Sequence, residues 1–284
     1  APVSSSRSSP YPTAQAPWPG ERRSALTPVK VVVHGASGKM GREVINGLCR
    51  EPGIEIVGAV DIQAPQNFLS LPNGSGVVPF SNSLEQILDT CQPDVVVDFS
   101  IAKATMPAVR QATKKGVHLV IGTTGLSPSD ISEMEQLAKT HKVGIMVAPN
   151  FALGAVLMMH LAKIVAKYMD YAEIIELHHE RKVDAPSGTA LTTARAMAAA
   201  RGKPFLRPPV EGEAPVSRGQ LVEGVNIHSV RLPGLMAHQE VTLGAPGQTL
   251  RIRHDQISRE AFIPGVILAI REVVKRQGLI YGLD

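Results

Sequence analysis

The chain has 284 residues, 44 % of them hydrophobic, and a formal charge of +4. It is long enough for one large domain or two modest ones, and too apolar to be disordered throughout. Its apolar runs, such as Val95 to Val97, are far too short to span a bilayer, and no dense Lys/Arg block with interleaved aromatics points to nucleic acid. Cys49 and Cys91 form neither a disulfide framework nor a metal spacing and fit a reducing compartment, and no His-Glu-x-x-His pattern occurs, so no metal site is expected.

Residues 1–28 differ from the rest. They are rich in Ser, Pro and Arg, carry Glu21 as their single acid and show no apolar period. Such a segment cannot bury a core and is expected to be a flexible extension. Its composition suits either a transit-peptide remnant or an ordinary disordered tail, and it lacks the apolar stretch of a secretory signal.

From Val29 to Val33 a Val-rich run reads as a buried parallel strand. A glycine-spaced turn follows, Gly35-x-x-Gly38-x-x-Gly41. A helix then carries Val44, Ile45 and Leu48, and Pro52-Gly53 stops it. Residues 54–61 form the next strand, and 62–82 read as loop. The pattern continues with a helix over 83–90, a strand over 93–100, a helix over 103–115, a strand over 117–122, a helix over 128–140 and a strand over 144–148. This alternation predicts a parallel sheet with helices on both faces, a Rossmann-like arrangement.

Past Asn150 the alternation breaks down. A long apolar helix over 154–168 precedes a strand over 172–177 and a helix over 189–201. Then come a Pro-rich loop, strand candidates over 225–232 and 240–253 (the second interrupted at 245–248), and a last helix over 265–276. The fold class expected is α/β, with a smaller α+β domain and a mixed sheet after the Rossmann-like one.

The Gly35, Gly38, Gly41 spacing lies between a strand and a helix, where a pyrophosphate must approach backbone without Cβ atoms in the way. Free N–H groups at the helix start then face the anion. Asp61 ends the second strand, twenty residues after Gly41, where a carboxylate accepts the ribose hydroxyls. Ile62 and Gln63 follow it, so no Arg is at hand for a 2′-phosphate. Lys39, Arg42 and His34 remain candidates for that contact, and NADH and NADPH both stay open. Phe99, Ser100, Gly122, Thr123 and Thr124 also lie at carboxyl ends of parallel strands, where such sheets bind ligands. Ser100 and Thr124 suit ordinary helix caps equally well.

The segment from Glu176 to Ala190 holds the chemistry. A strand ends near His178, a polar stretch carries His179, Arg181 and Lys182, and Ser187-Gly188-Thr189 opens an Ala-rich helix. Asp184 or Ser187 can cap that helix, and its free N–H groups suit a carboxylate. Reduction of a C=N or C=C bond needs the acceptor held against a nicotinamide and a proton supplied. His178 and Lys182 are the candidate acids. A solvated polar loop with a structural His pair is the bland alternative.

The string His178-His179-x-x-Lys182-Val183-Asp184-Ala185-Pro186-Ser187-Gly188-Thr189-Ala190 resembles the signature of dihydrodipicolinate reductases. Gly35 to Arg42, Val97 to Ser100, Gly122 to Gly125 and Ala148 to Phe151 resemble that family's other motifs in order, and the likeness runs from Val29 to the end. Val230 to Gly234 and His238 to Glu240 resemble its cyanobacterial members in particular.

The resemblance implies NAD(P)H-dependent reduction of 4-hydroxy-tetrahydrodipicolinate, a small dicarboxylate, in lysine biosynthesis. It makes His178 the general acid and Lys182 a second catalytic cation. His179, Ser187, Gly188 and Thr189 become substrate contacts. Gly35, Ser37, Gly38, Lys39, Met40, Gly41 and Asp61 hold the coenzyme's adenosine half. Phe99, Ser100, Gly122, Thr123, Thr124, Ala148, Asn150 and Phe151 line its nicotinamide half. It implies a dinucleotide-binding domain over 29–150, a substrate-binding and oligomerisation domain over 151–255, and a segment over 256–284 returning to the first domain. It also implies a homotetramer and a hinge near Ala148 to Asn150. Ile62 departs from the basic residue many relatives carry there. The extension suggests the chloroplast stroma if it is a transit peptide, and the cytoplasm otherwise. The competing readings are a non-catalytic plastid assembly factor on the same fold and an amino-acid dehydrogenase, which lacks the His-His-x-x-Lys segment.

Overall fold

The structure, a computed structural model, describes residues 27–209 and 216–283, and the extension proper lies outside the described residues. The first half comprises β1 (Val29–His34), α1 (Lys39–Leu48), β2 (Ile54–Val60), β3 (Phe68–Ser70), β4 (Val77–Ser81), α2 (Leu84–Cys91), β5 (Val95–Asp98), α3 (Ala102–Lys114), β6 (His118–Ile121), α4 (Pro128–His141) and β7 (Gly144–Val147). The second comprises α5 (Leu153–Ala166), β8 (Tyr171–His178), α6 (Gly188–Arg201), β9 (Gln220–Val222), β10 (Val225–Arg231), β11 (Ala237–Ala245), β12 (Gln248–Gln256), α7 (Ile263–Val273) and β13 (Gly278–Tyr281).

Among the described residues the first sheet has the order β13-β7-β6-β5-β1-β2-β4-β3. Every neighbouring pair is parallel except β3 with β4. The chain runs outward one way from β1 to β4 and the other way from β5 to β7, so the topological switch point lies between β1 and β5. Val31, Val32 and Val33 are completely buried, as a strand covered on both faces requires. Helix α1 turns Gly41, Val44, Ile45 and Leu48 inward at helical spacing.

Residues 62–82, read as loop from the sequence, hold β3 and β4. Strand β3 has only three residues, too few for a period, and Pro79 interrupts the β signal of β4 while its neighbours Val78 and Phe80 point inward. The candidate strand over 240–253 is a hairpin, β11 and β12, that turns at Pro246 and Gly247, the latter with φ +77°. Helix α7 starts at Ile263 and ends at Val273. The chain then adds β13, which sequence patterning did not register, parallel to β7. Ile263 packs so closely on α1 that a Cβ on Gly47 would lie 2.4 Å from its Cγ2.

The second sheet has the order β12-β11-β8-β10-β9, with β8 parallel to β10 and antiparallel to β11. Ala172, Ile174 and Glu176 of β8 are buried on one face, while Tyr171 and Ile175 are exposed on the other. Helices α5 and α6 cover the buried face through small residues, Ala162 and Ala166 against Ala190 and Ala194, which let them approach closely. No helix among the described residues is long and apolar enough to cross a membrane.

Candidate active site

One half of the site surrounds the switch point. Gly35 follows β1 with φ +83°, and a Cβ there would lie 2.7 Å from the Phe99 carbonyl oxygen. A Cβ on Gly41 would lie 2.0 Å from the Gly35 carbonyl oxygen. Both positions therefore demand glycine. Gly38 is the N-cap of α1 and supplies no side-chain bond, so the first N–H groups of the helix stay free for an anion. Lys39 is exposed beside them, and Met40 is half-buried.

The Asp61 carboxylate accepts the N–H of Ser37 at 2.9 Å and of Gln63 at 3.0 Å. A cleft of about 640 Å³ opens here, lined by Gly35, Gly38, Asp61, Phe99 and Ser100. A second cleft of about 680 Å³ lies against Ser37, Arg42, Ile62 and Gln63. This cradle fits a dinucleotide: the glycines leave room for a pyrophosphate, the helix start offers donors, and the carboxylate lies at the ribose end.

The ends of β5, β6 and β7 converge beside that cleft. A Cβ on Gly122 would lie 2.2 Å from the Phe99 ring, and the Phe99 and Phe151 ring centroids are 5.5 Å apart, tilted by 57°. Ala148 is buried and donates its N–H to Ile121, and Asn150 accepts the N–H of Ala152 at 2.9 Å. Thr124 is exposed.

Beneath this rim lies a carboxylate the sequence reading did not single out, Asp98. It is fully buried and accepts the Thr123 hydroxyl at 3.2 Å, the Thr105 hydroxyl at 2.5 Å and the Ser100 N–H at 3.0 Å, with His34 Nδ1 3.1 Å away. Burial opposes its charge, yet the His34 imidazole beside it and hydrogen bonds from Ser100 and Thr105 hold its carboxyl below the usual range. Ser100 and Thr123 are thereby anchored to the end of β5.

The other half lies where β8 meets α6. Ser187 caps α6 by accepting the Ala190 N–H at 3.2 Å, and it donates its own N–H to Glu176. Of the two candidate caps, the structure selects Ser187, and the capping hydroxyl is buried. Gly188 is exposed, and a Cβ there would meet nothing within 4 Å, so open space lies over the helix start. Thr189 is half-buried next to it. Lys182 Nζ donates to both Asp184 oxygens, at 2.8 and 2.9 Å, and this contact is the first cause holding the Asp184 carboxyl below its usual range. His179 Nδ1 is buried without a hydrogen-bond partner among the described residues.

His178 Nδ1 meets Glu176 Oε2 at 2.5 Å. Glu176 is completely buried and also takes two bonds from Arg231, at 2.8 and 3.0 Å. Burial alone would raise its carboxyl, but hydrogen bonds from His178, Arg231 and Ser229 bring it down to about 2. Sequence reading passed over both Glu176 and Arg231. The available signal was a carboxylate in the inward phase of the β8 pattern Ala172, Ile174, Glu176, where an apolar residue belongs.

The structure thus gathers the candidate residues into two groups, one around the glycine turn and one around His178. No hydrogen bond or ion pair among the described residues joins the two.

Comparison with known proteins places both halves together. The family model described as dihydrodipicolinate reductase, N-terminus, matches residues 29–151, and the one described as dihydrodipicolinate reductase, C-terminus, matches residues 154–284. A 4-hydroxy-tetrahydrodipicolinate reductase of Dehalococcoides mccartyi is 58 % identical over 259 residues, covering 91 % of this chain and 98 % of its own. The enzyme of that name from Mastigocladus laminosus is 44 % identical, covering 91 % and 98 %. The solved structure of dipicolinate-bound dihydrodipicolinate reductase from Paenisporosarcina sp. TG-14 aligns with a TM-score of 0.81 and 38 % identity, over 90 % of this chain and 98 % of that one. An amine dehydrogenase from Mycobacterium smegmatis aligns with a TM-score of 0.63 at 17 % identity, covering 89 % and 94 %, a likeness of fold alone.

Proposed function

The chain belongs to the dihydrodipicolinate reductase family, and from that premise we propose how its residues carry the reaction. The protein is an oxidoreductase that reduces 4-hydroxy-tetrahydrodipicolinate to tetrahydrodipicolinate with loss of water, in lysine biosynthesis through diaminopimelate. NADH or NADPH supplies the hydride when bound. Gly35, Ser37, Gly38, Lys39, Met40, Gly41 and Asp61 hold its adenosine half. Phe99, Ser100, Gly122, Thr123, Thr124, Ala148, Asn150 and Phe151 form the rim for the nicotinamide.

The observation that carries the reading is the open start of α6 beside His178 and Lys182. One substrate carboxylate binds the N–H groups of Gly188 and Thr189, with Ser187 holding that turn in shape, and His179 contacts the substrate from the neighbouring loop. His178 donates the proton that balances the hydride. Lys182 exchanges Asp184 for the substrate and polarises the imine. Dipicolinate in the Paenisporosarcina reductase supports a dicarboxylate here.

Residues 29–150 serve the coenzyme and 151–255 the substrate, while 256–284 return to the first sheet, a division supported by the pairing of β13 with β7. The separation of the two groups supports closure about Ala148 to Asn150 during turnover. Exposed Tyr171, Ile175 and Val230 on the uncovered face of the second sheet support a homotetramer joined through it. The Ser- and Arg-rich composition of residues 1–28 supports delivery to a chloroplast stroma if that segment is a transit peptide, and residence in the cytoplasm otherwise.

The test is loss of nicotinamide absorbance on freshly generated 4-hydroxy-tetrahydrodipicolinate, with NADH and NADPH in parallel. The unmodified protein oxidises the coenzyme, and Lys182→Ala slows it by roughly 10²–10⁴-fold. A folded sample that binds coenzyme and leaves it unoxidised overturns the reading in favour of the non-catalytic assembly factor, which the names of the relatives do not support.

A further inference from the structure

We propose that Glu176 and Arg231 are positioning residues for this reaction, holding His178 in a single tautomer and fixing the backbone of the loop that carries Lys182; the assignment rests on the reductase reading above.

Arg231 ends β10 directly across from His178, the last residue of β8, in the parallel register of the two strands. Its guanidinium meets both Glu176 oxygens, Nη2 to Oε1 at 2.8 Å and Nη1 to Oε2 at 3.0 Å. The rest of the fork faces the catalytic loop. Nε donates to the Lys182 carbonyl at 3.3 Å, and Nη2 donates to the Asp184 carbonyl at 2.7 Å. On the carboxylate side, Oε2 faces His178 Nδ1 and Oε1 accepts the Ser187 N–H at 3.2 Å. One buried pair therefore touches the loop at four places: the imidazole at its start, the carbonyls of Lys182 and Asp184, and the cap of α6 at its end.

Packing does not account for this pair. A buried ion pair adds little stability over apolar residues of the same volume, because desolvation cancels most of the attraction. What apolar residues cannot do is accept from an imidazole and donate to loop carbonyls. A planar fork of donors does so with fixed geometry, which a lysine lacks.

The tautomer follows from the acceptor chemistry. An ionised carboxylate only accepts, so the proton of neutral His178 must sit on Nδ1. Nε2 is left for the substrate. When the imidazolium gives up its Nε2 proton, the Nδ1–H form that remains is the one Glu176 already holds. Glu176→Gln breaks this logic. Its amide NH2 group must face either Arg231 and the Ser187 N–H, which are all donors, or Arg231 and His178, which then has to move its proton to Nε2.

The test uses the full chain, with coenzyme affinity read from nicotinamide fluorescence, substrate kcat and KM, and ¹⁵N NMR of the His178 ring assigned by loss of its signals in His178→Asn. In the unmodified protein, neutral His178 carries its proton on Nδ1. In Glu176→Gln the proton moves to Nε2 and kcat falls by roughly 10²–10³-fold, with coenzyme affinity unchanged. Arg231→Lys keeps the charge but loses the fork, and substrate KM rises by about 10-fold or more. An Nε2–H tautomer in the unmodified protein overturns the proposal without any variant. So does a folded Glu176→Gln with unaltered kcat and tautomer. Failure of the unmodified protein to turn over removes the reductase reading instead, and the NMR tautomer then decides the geometry on its own.

Discussion

The carboxylate of Asp61 accepts the backbone N–H of Ser37 at 2.9 Å, so a side chain at the end of the second strand closes the glycine turn that follows the first. One residue thereby shapes the glycine turn and, in the function proposed above, faces the ribose. Asp61→Ala removes both functions, and its expected cost is about 1–3 kcal/mol of coenzyme binding, roughly a 5- to 150-fold rise in Kd. Fluorescence titration reads it, and circular dichroism should show the fold intact. An unchanged Kd would place the ribose elsewhere.

Ile62 is 89 % exposed immediately after Asp61, with Arg42 nearby in the same cleft. Nothing apolar requires it there. Replacement by a planar cation gives a 2′-phosphate a bidentate partner. Ile62→Arg should therefore shift the kcat/KM ratio toward NADPH by about 10-fold. Equal ratios in the two proteins would mean that Arg42 or Lys39 already performs this contact.

Two glycines should respond in opposite ways. A Cβ on Gly41 would meet the Gly35 carbonyl at 2.0 Å, a backbone atom that cannot swing aside. Gly41→Ala should cost about 1–3 kcal/mol of stability and weaken coenzyme binding with it. A Cβ on Gly188 would meet no atom within 4 Å. Gly188→Ala should leave the midpoint of denaturant unfolding unchanged or slightly raised. Its substrate KM should rise at least about 10-fold, because the methyl occupies the space over the α6 N–H groups. A normal KM in Gly188→Ala would remove that helix start from the substrate site.

Acid should unfold the second domain through Glu176. Its carboxyl lies at about 2 in the folded protein against an ordinary value of 4.5. A lowered carboxyl contributes stability that is present above the ordinary value and is lost as pH falls through the folded one. The window is therefore pH 4.5 down to about 2, and the gap corresponds to roughly 3 kcal/mol. Asp98 is lowered as well and adds in the same direction. Urea unfolding at stepped pH should show stability of the unmodified protein falling faster across this window than that of Glu176→Gln. Parallel curves would show that the fold does not hold the Glu176 carboxyl below its ordinary range.

The local units were legible in the sequence, and so was the family, through motifs of contiguous residues. A Val run followed by Gly35, Gly38 and Gly41 specifies strand, turn and helix, because each glycine answers a steric demand within a few residues. The His178 to Ala190 string likewise keeps its candidate acids and the capped start of α6 in one stretch. Sequence pattern failed where an element was too short for a period, as in β3, or contained a proline, as in β4. It failed again where a strand is stabilised chiefly by its neighbour, as β13 is by β7. Tertiary structure alone decided which distant groups meet. Arg231 is 55 residues from Glu176 and reaches it only because β10 pairs with β8 in one register. Phe99, Gly122 and Phe151 converge only because β5, β6 and β7 lie side by side. Periodicity reports which face of a strand is buried, since that depends on the residue itself. What stands across from it depends on sheet order and register, which the packing of the whole chain selects.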